Sequence, residues 1–304
     1  MILYDRDRWF KAVFSWRGTA LRRAGWRVLS MTLYAVILQA AYEFGVSRHG
    51  IEFRSFFGLN PGHHAVLGAF LGFLIVFRMN ASNNRFWDGR VCWGQVINAS
   101  RNLVRVGVAY TDRGMELARL VSGYGECLRH SLQGNQDMAE IRLYLPEELT
   151  EQVMRYGNPP TAIAMAITFW IEREAREGRL EPMLVRQMED QLARLVDAQG
   201  GCERILKTPL PFVYVVMVKQ LILVYLISLP FAVGDLSGWW SPILMAIISL
   251  ALFGIEEASV ETEDPFGHGE NCLDMETFTM RIARDAGQMA VTRSEIAEIL
   301  LDRD

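Results

Sequence analysis

The chain has 304 residues, of which 51% are hydrophobic and 22% are charged. It is too apolar for an ordinary soluble enzyme and too charged for a protein embedded entirely in lipid. The net charge of −4 argues against a nucleic-acid-binding protein, which needs a concentrated basic surface. The four cysteines form no CxxC pair and the histidines have no HExxH-like spacing, so we expect no disulfide framework, metal site or cofactor.

Four apolar segments are predicted to cross a membrane. The first, 28–46, carries one charge, Glu43, and its roughly 19 residues just span a hydrocarbon core of about 30 Å at ~1.5 Å per residue. A cleaved signal peptide is the alternative, but no small-residue cleavage site follows the apolar stretch. The later segments are 64–77, 209–233 and 239–255. Segment 64–77 is short enough to be a buried or partly inserted helix, and the turn-like sequence 234–238 separates the last two.

Charge and helical periodicity organise the rest of the chain. Basic residues dominate before the first span, which predicts a cytoplasmic N-terminus, and an even number of spans returns the C-terminus to the same side. Between spans two and three, the charged sequence has apolar residues at three- and four-residue steps, including Met188, Leu192 and Leu195, as in packed amphipathic helices. We therefore divide the chain into a cytosolic N-terminal segment (1–27), membrane helices one and two (28–78), a cytosolic helical region (79–208), membrane helices three and four (209–255) and a cytosolic C-terminal segment (256–304).

The second span carries the pattern most suggestive of function. Ala65, Ala69, Phe73 and Phe77 fall at four-residue steps and therefore share one stripe of a helix. The stripe passes directly into a polar sequence that contains Asn80, Asn84 and Arg85. An apolar neck that opens into a polar vestibule is typical of hydrated pores with a hydrophobic constriction. The alternative is a close-packed helix whose aromatic residues belong to the core.

Charged groups in and after the later spans are the other candidates. Lys219 lies in the middle of the third span, where an ammonium is costly unless it faces protein or water, so it should point inward. The alternative is that it extends towards the lipid headgroups. After the fourth span, eight carboxylates crowd the stretch 256–276. A cation-binding or gating belt is one interpretation of these carboxylates. Their spacing matches no EF-hand loop, so a solvated acidic helix end is an equally good interpretation.

Several short blocks, in order along the chain, carry a family resemblance. They are WRGT (16–19), FRMNAS (77–82), RF (85–86), GCERI (201–205), TPLPF (208–212) and EDPFG (263–267). Together they resemble the bestrophin family, in particular its bacterial branch, over nearly the whole chain. The resemblance implies an all-α integral membrane protein with four membrane helices per subunit and a helical cytosolic region, assembled as a homopentameric ion channel in a bacterial inner membrane.

The resemblance also assigns candidate pore residues. Carried over to this sequence, the three positions that line the pore neck are Ala69, Phe73 and Phe77, and a second, cytosolic constriction falls at Met183. Ala69 departs from the larger side chain usual there, which implies a wider outer neck. Animal bestrophins are calcium-activated anion channels, whereas some bacterial relatives favour monovalent cations. The resemblance therefore implies passage of small monovalent ions and leaves their sign open.

Calcium gating is not expected. In eukaryotic members an acidic run follows the Pro-Phe-Gly turn, but here Pro265-Phe266-Gly267 is followed by His268-Gly269-Glu270-Asn271-Cys272. Calcium prefers several hard oxygen ligands, which this run supplies poorly.

Two other kinds of function remain open. A secondary transporter would couple through Lys219 and a carboxylate such as Glu256. A membrane-tethered adaptor would show no electrical activity. An enzyme is disfavoured because the sequence shows no nucleophile with its base and no metal set.

Overall fold

The computed structural model describes residues 18–49, 60–135 and 139–301, with isolated residues between 7 and 15. Trp16 and Arg17 of the bestrophin-like blocks, the basic residues at 6, 8 and 11, and most of the connection between the first two predicted spans lie outside the described residues. The described part is all-helical, without a strand. Its α-helices are α1 (Leu21–His49), α2 (Pro61–Tyr110), α3 (Gly114–Gln133), α4 (Glu147–Met154), α5 (Pro159–Arg176), α6 (Pro182–Lys207), α7 (Phe212–Ser237), α8 (Ser241–Glu263), α9 (Met275–Val291) and α10 (Arg293–Leu301).

Four segments of the described chain are long and apolar enough to cross a membrane, as predicted. They are Leu21–Gly45, Pro61–Tyr110, Phe212–Val233 and Gly238–Glu263. For the second segment, length alone suggests a buried or partly inserted helix, but the helix is much longer than its apolar run. The apolar run is the first part of a 50-residue helix that continues through the polar sequence. Because no proline follows Pro61 within it, nothing in the polar stretch stops the helix.

The chain divides into two compact units. The first comprises residues 1–86, 209–264 and 269–271, and the second comprises 87–208, 265–268 and 272–304. In the first unit, α1, the start of α2, α7 and α8 pack around one apolar core. Its most buried side chains are Ala24, Ala35, Leu71, Ile75, Val218, Ile222, Leu226, Leu229, Met245 and Phe253.

A very tight connection joins α7 to α8. The predicted turn at 234–238 is wrong in its position, since α7 remains helical to Ser237. A single 3₁₀ turn, Gly238–Trp240, then leads into α8, and Gly238 has a positive φ of 51° that suits a residue without a Cβ. Trp239 and Trp240 are exposed at this tip. The two helices therefore form a hairpin.

The second unit is a helical domain built on the later part of α2 with α3, α5, α6 and α9. The predicted amphipathic helix is confirmed as α6, and Met188, Leu192 and Leu195 are buried on its inner face. Tyr124 of α3 is fully buried and donates to Gln199 Oε1 of α6 at 2.7 Å. Gln199 in turn donates to Asn158 Oδ1 at 3.1 Å. This network gives the buried polar groups partners, as a stable helical core requires.

Candidate functional site

The proposed neck residues lie on one exposed face of α2. Ala69, Phe73 and Phe77 are all accessible, and the two phenylalanines are 60% and 50% exposed. Their rings contact each other edge to face, with centroids 4.5 Å apart and planes at 87°. Large aromatic side chains exposed to this extent leave an apolar surface which one folded chain does not cover.

The same face continues into polar residues. Asn80 and Asn84 are exposed, and at about 100° per residue they fall with Ala69, Phe73 and Phe77 within an arc of about 80°. An apolar stripe and an amide stripe thus follow each other along one side of one helix. Arg85, the third vestibule candidate, lies outside this arc. It is half-buried and its Nε donates to the Glu263 carbonyl at 3.1 Å.

The opposite face of α2 is held by α7. Leu71 and Ile75 are buried there in the core of the first unit. His64 Nε2 lies 3.0 Å from Ser228 Oγ, and its ring stacks on Tyr225. At Gly68 an added Cβ would lie 2.7 Å from the Tyr225 hydroxyl oxygen, so only glycine fits without a shift. These contacts fix the rotation of α2 and leave the Phe73 side uncovered.

A buried charge cluster stands just beyond the neck residues. Arg78 is fully buried, and its Nη2 lies 3.4 Å from Glu256 Oε1 and 3.8 Å from Glu263 Oε2. Sequence reasoning missed Arg78, because an arginine at the end of an apolar run is the ordinary sign that a span has ended. The only available signal was the carboxylate run after the fourth span, which supplies both partners.

Lys219 joins this cluster. Its Nζ lies 3.5 Å from Glu256 Oε1, while its side chain remains 51% exposed. Arg27 reaches the same carboxylate, with Nη1 3.2 Å from Glu256 Oε2, and also pairs with Glu257. The structure therefore brings Lys219 and Glu256 together. The sequence leaves two orientations of Lys219 open, pointing inward or extending towards the lipid headgroups. In the structure the lysine pairs with Glu256 and yet stays accessible, so neither orientation describes it fully.

The first four carboxylates of the acidic run after the fourth span are buried or partly buried, whereas Asp264, Glu270, Asp274 and Glu276 are exposed. Glu256 and Glu257 are buried and ion-paired. Glu261 accepts a hydrogen bond from Asn271 Nδ2, and Glu263 accepts one from the Leu210 amide at 3.1 Å. Neither a solvated acidic helix end nor an open carboxylate belt describes this start of the run.

Met183 lies in the second unit. It follows Pro182 at the start of α6, and Glu181 precedes the helix in an extended conformation. Its side chain is 75% exposed. An exposed, flexible apolar side chain at a helix start can contact another chain or an aqueous passage.

One group of residues in the described chain has ligand atoms close enough for a metal. Glu126, His130 and Glu140 of the second unit converge within 4.8 Å. Arg129 Nη2, however, contacts all three, at 3.0 Å from His130 Nε2. Burial, the largest single influence, would raise the pKa of Glu126, but hydrogen bonds with Arg129, Glu140 and Thr279 and the charge of Arg129 together outweigh it and hold that pKa below its usual value. An internal guanidinium thus takes the place that a cation would occupy.

The fold and this helix define a class: an all-helical, multi-pass membrane protein whose second membrane helix presents an uncovered apolar face that ends in asparagines. The family model described as Bacterial/Fungal Bestrophin protein matches residues 1–288. The chain belongs to that family.

Named relatives and a solved structure agree with this assignment. A voltage-dependent anion channel-forming protein of Nostoc sp. is 29% identical over 293 residues, covering 92% of this chain and 91% of the relative. The voltage-dependent anion channel-forming protein YneE of Escherichia coli K12 is 29% identical over 306 residues, with 100% and 98% covered. A crystal structure of a bacterial bestrophin homologue from Klebsiella pneumoniae has a TM-score of 0.80 at 26% identity and covers 88% of this chain and 98% of its own. Family and names point to a non-enzymatic ion channel.

Proposed function

We propose that the protein is a passive channel for small monovalent ions, in which five copies of α2 surround a single central pore. Ala69, Phe73 and Phe77 line its hydrophobic neck, and Asn80 and Asn84 line the wider vestibule that follows. Arg85 acts beside the vestibule by tying α2 to the end of α8. Met183 contributes a second constriction on the cytosolic side.

The observation that carries the proposal is the uncovered aromatic face of α2. The opposite face is packed against α7, so the helix cannot rotate to hide Phe73 and Phe77 within its own chain. A ring of copies would bring these side chains together around an axis. A narrow ring of aromatic side chains controls conduction through the wetting of the space it encloses.

Of the two ion classes, we propose that anions such as chloride permeate. The relatives from Nostoc and Escherichia coli carry names that describe anion channels. The edge of an aromatic ring is electropositive and its face electronegative, and the edge-to-face pair Phe73–Phe77 has rings at right angles. In this proposal the neck turns ring edges towards the ion.

The proposed setting is the inner membrane of a bacterium, with both termini in the cytoplasm. Arg22, Arg23 and Arg27 at the start of α1 favour this orientation by the positive-inside rule. High-affinity calcium gating is not part of the proposal, because Gly269 and Cys272 replace hard oxygen ligands after the Pro-Phe-Gly turn.

The test is a reversal potential in a planar bilayer under a chloride salt gradient. We expect reversal near the chloride equilibrium potential, and a larger current from the double variant Phe73→Ala, Phe77→Ala, since the neck widens. Phe44→Ala on α1 is the matched control, because Phe44 is an exposed phenylalanine of another membrane helix. Reversal at the cation potential would refute the anion proposal. Unchanged current in the double variant would refute the assignment of Phe73 and Phe77 to the pore neck. Saturable, gradient-coupled flux would indicate a transporter.

A further inference from the structure

A cavity of about 300 Å³ lies within the first unit, away from the proposed neck face. It is bounded by α1, α7 and α8, and its lining includes Arg27, Met31, Lys219, Ile222, Phe253 and Glu256. Sites of this size accept a small molecule or a part of a larger one. The lining combines an apolar wall with a charged edge.

The charged edge is cationic on its accessible side. The side chains of Lys219 and Arg27 are 51% and 40% exposed, whereas Glu256 between them is 2% exposed. Glu256 also faces the buried Arg78, and Arg27 pairs with the buried Glu257 as well, so the carboxylates of this edge are buried and the groups left accessible are the two cations. The Lys219–Glu256 distance of 3.5 Å exceeds that of a good charge-assisted hydrogen bond, so the ammonium keeps donors for another acceptor.

The apolar wall continues from this edge along the helices. Ile222 lies almost one turn beyond Lys219 on α7, and Phe253 lies almost one turn before Glu256 on α8. The Arg27 guanidinium lies 5.6 Å from the centre of the Phe253 ring, at the junction of the two parts. All three helices that bound the cavity are membrane-spanning candidates. A ligand here would therefore meet cations at one end and hydrocarbon-like side chains at the other.

We propose that this cavity binds one anionic phospholipid. Its phosphate pairs with Lys219 and Arg27, and the first part of an acyl chain lies against Ile222 and Phe253. A free inorganic anion would use the cations but gain nothing from the apolar wall, and a zwitterionic lipid would bring its own cation to a cationic edge. The proposal requires only that the helices lie in a bilayer, so it stands apart from the proposed pore.

The experiment measures lipid binding to the purified full-length protein in detergent by native mass spectrometry. Dioleoyl phosphatidylglycerol, dioleoyl phosphatidylcholine and inorganic phosphate are the three probes. We expect phosphatidylglycerol to bind preferentially, and Lys219→Gln to weaken that binding about fivefold, as expected for the loss of one basic contact to an anionic lipid. Arg22→Gln is the matched control, because Arg22 is an exposed cation on the same helix as Arg27 and does not line the cavity.

A second variant tests the apolar wall without altering charge. Leu223 lines the cavity and is exposed, so Leu223→Trp should fill the space and reduce phosphatidylglycerol binding while the unfolding temperature stays near that of the wild type. Equal binding of the two lipids would overturn the proposal, as would equal losses in Lys219→Gln and Arg22→Gln. Displacement of the lipid by millimolar phosphate would instead indicate a simple anion site and refute the proposed phospholipid site. None of these readouts depends on ion current.

Discussion

Glu256→Gln should be among the most destabilising single substitutions in the membrane part of the protein. Glu256 is buried and lies within ion-pair distance of Arg78, Arg27 and Lys219, at 3.4, 3.2 and 3.5 Å. The substitution keeps the shape of the side chain and removes its charge. Arg78 is then left with Glu263 at 3.8 Å as its remaining acidic partner among the described residues. A buried guanidinium with so distant a counter-charge is costly.

The size of the effect follows from these distances. At 3.4 Å and an effective dielectric constant of about 20, one ion pair contributes ~5 kcal/mol of Coulomb energy. The glutamate also gives up its own desolvation cost when it is neutralised, which offsets part of that sum. Loss of one partner of a buried pair then lowers the free energy of unfolding by about 3–5 kcal/mol. At roughly 2 °C per kcal/mol, the unfolding temperature should fall by about 6–10 °C.

The assay is thermal unfolding of the purified protein in detergent, followed by tryptophan fluorescence. Glu151→Gln is the matched control, since Glu151 pairs with Arg155 at 3.8 Å on an exposed helix surface. That pair should contribute at most about 0.5 kcal/mol. If Glu256→Gln lowers the unfolding temperature no more than Glu151→Gln does, the buried cluster does not stabilise the fold and the argument fails.

Three further predictions concern the second unit. Gly114→Ala would place a Cβ 2.7 Å from the Val108 Cα, so it should destabilise by about 1–3 kcal/mol in a denaturant titration. Gly200→Ala meets nothing within 4 Å in the interior of α6 and should stabilise by about 1 kcal/mol in the same assay; a loss would contradict the open space. Hydrogen bonds from Arg179, one of 2.6 Å, hold the pKa of Glu174 below its usual value. The ionised Glu174 carboxylate therefore stabilises the fold fully above its unfolded pKa of about 4.5, and this stabilisation is lost as pH falls through the lower folded pKa. Glu174→Gln should flatten the acid limb of a plot of unfolding free energy against pH. An unchanged acid limb would refute this.

The membrane helices could be predicted from the sequence because a long apolar run with few charges is typical of a membrane-spanning helix. Their ends could not, since hydropathy marks the part that contacts lipid and not the part that is helical. For α2 the apolar run ends at Phe77, yet the helix continues to Tyr110 through asparagines and arginines that are compatible with helix in water. The confirmed burial of α6 follows from a local period of three and four residues, which needs no knowledge of the fold.

The charge cluster shows where sequence reasoning stops. Arg78, Glu256 and Lys219 come from three different helices, and no local pattern states which carboxylate meets which cation. Lys219 and Glu256 could be named together only as a possible coupling pair, because each was an unexpected charge near an apolar run. The sequence shows Arg78 only as the residue that ends an apolar run and as part of the FRMNAS block, although it is the most deeply buried of the three. Ion pairs at long sequence separation depend on packing, which only the folded chain specifies.

The tight hairpin of α7 and α8 bears on how the protein is made. With only Gly238–Trp240 between the helices, no water-soluble loop is available to separate the two insertion events. We therefore expect the two helices to enter the bilayer together as one hairpin. Trp239 and Trp240 stand exposed at its leading tip, where indole rings settle at a lipid–water boundary. These two rings would halt the hairpin at a defined depth once it has crossed.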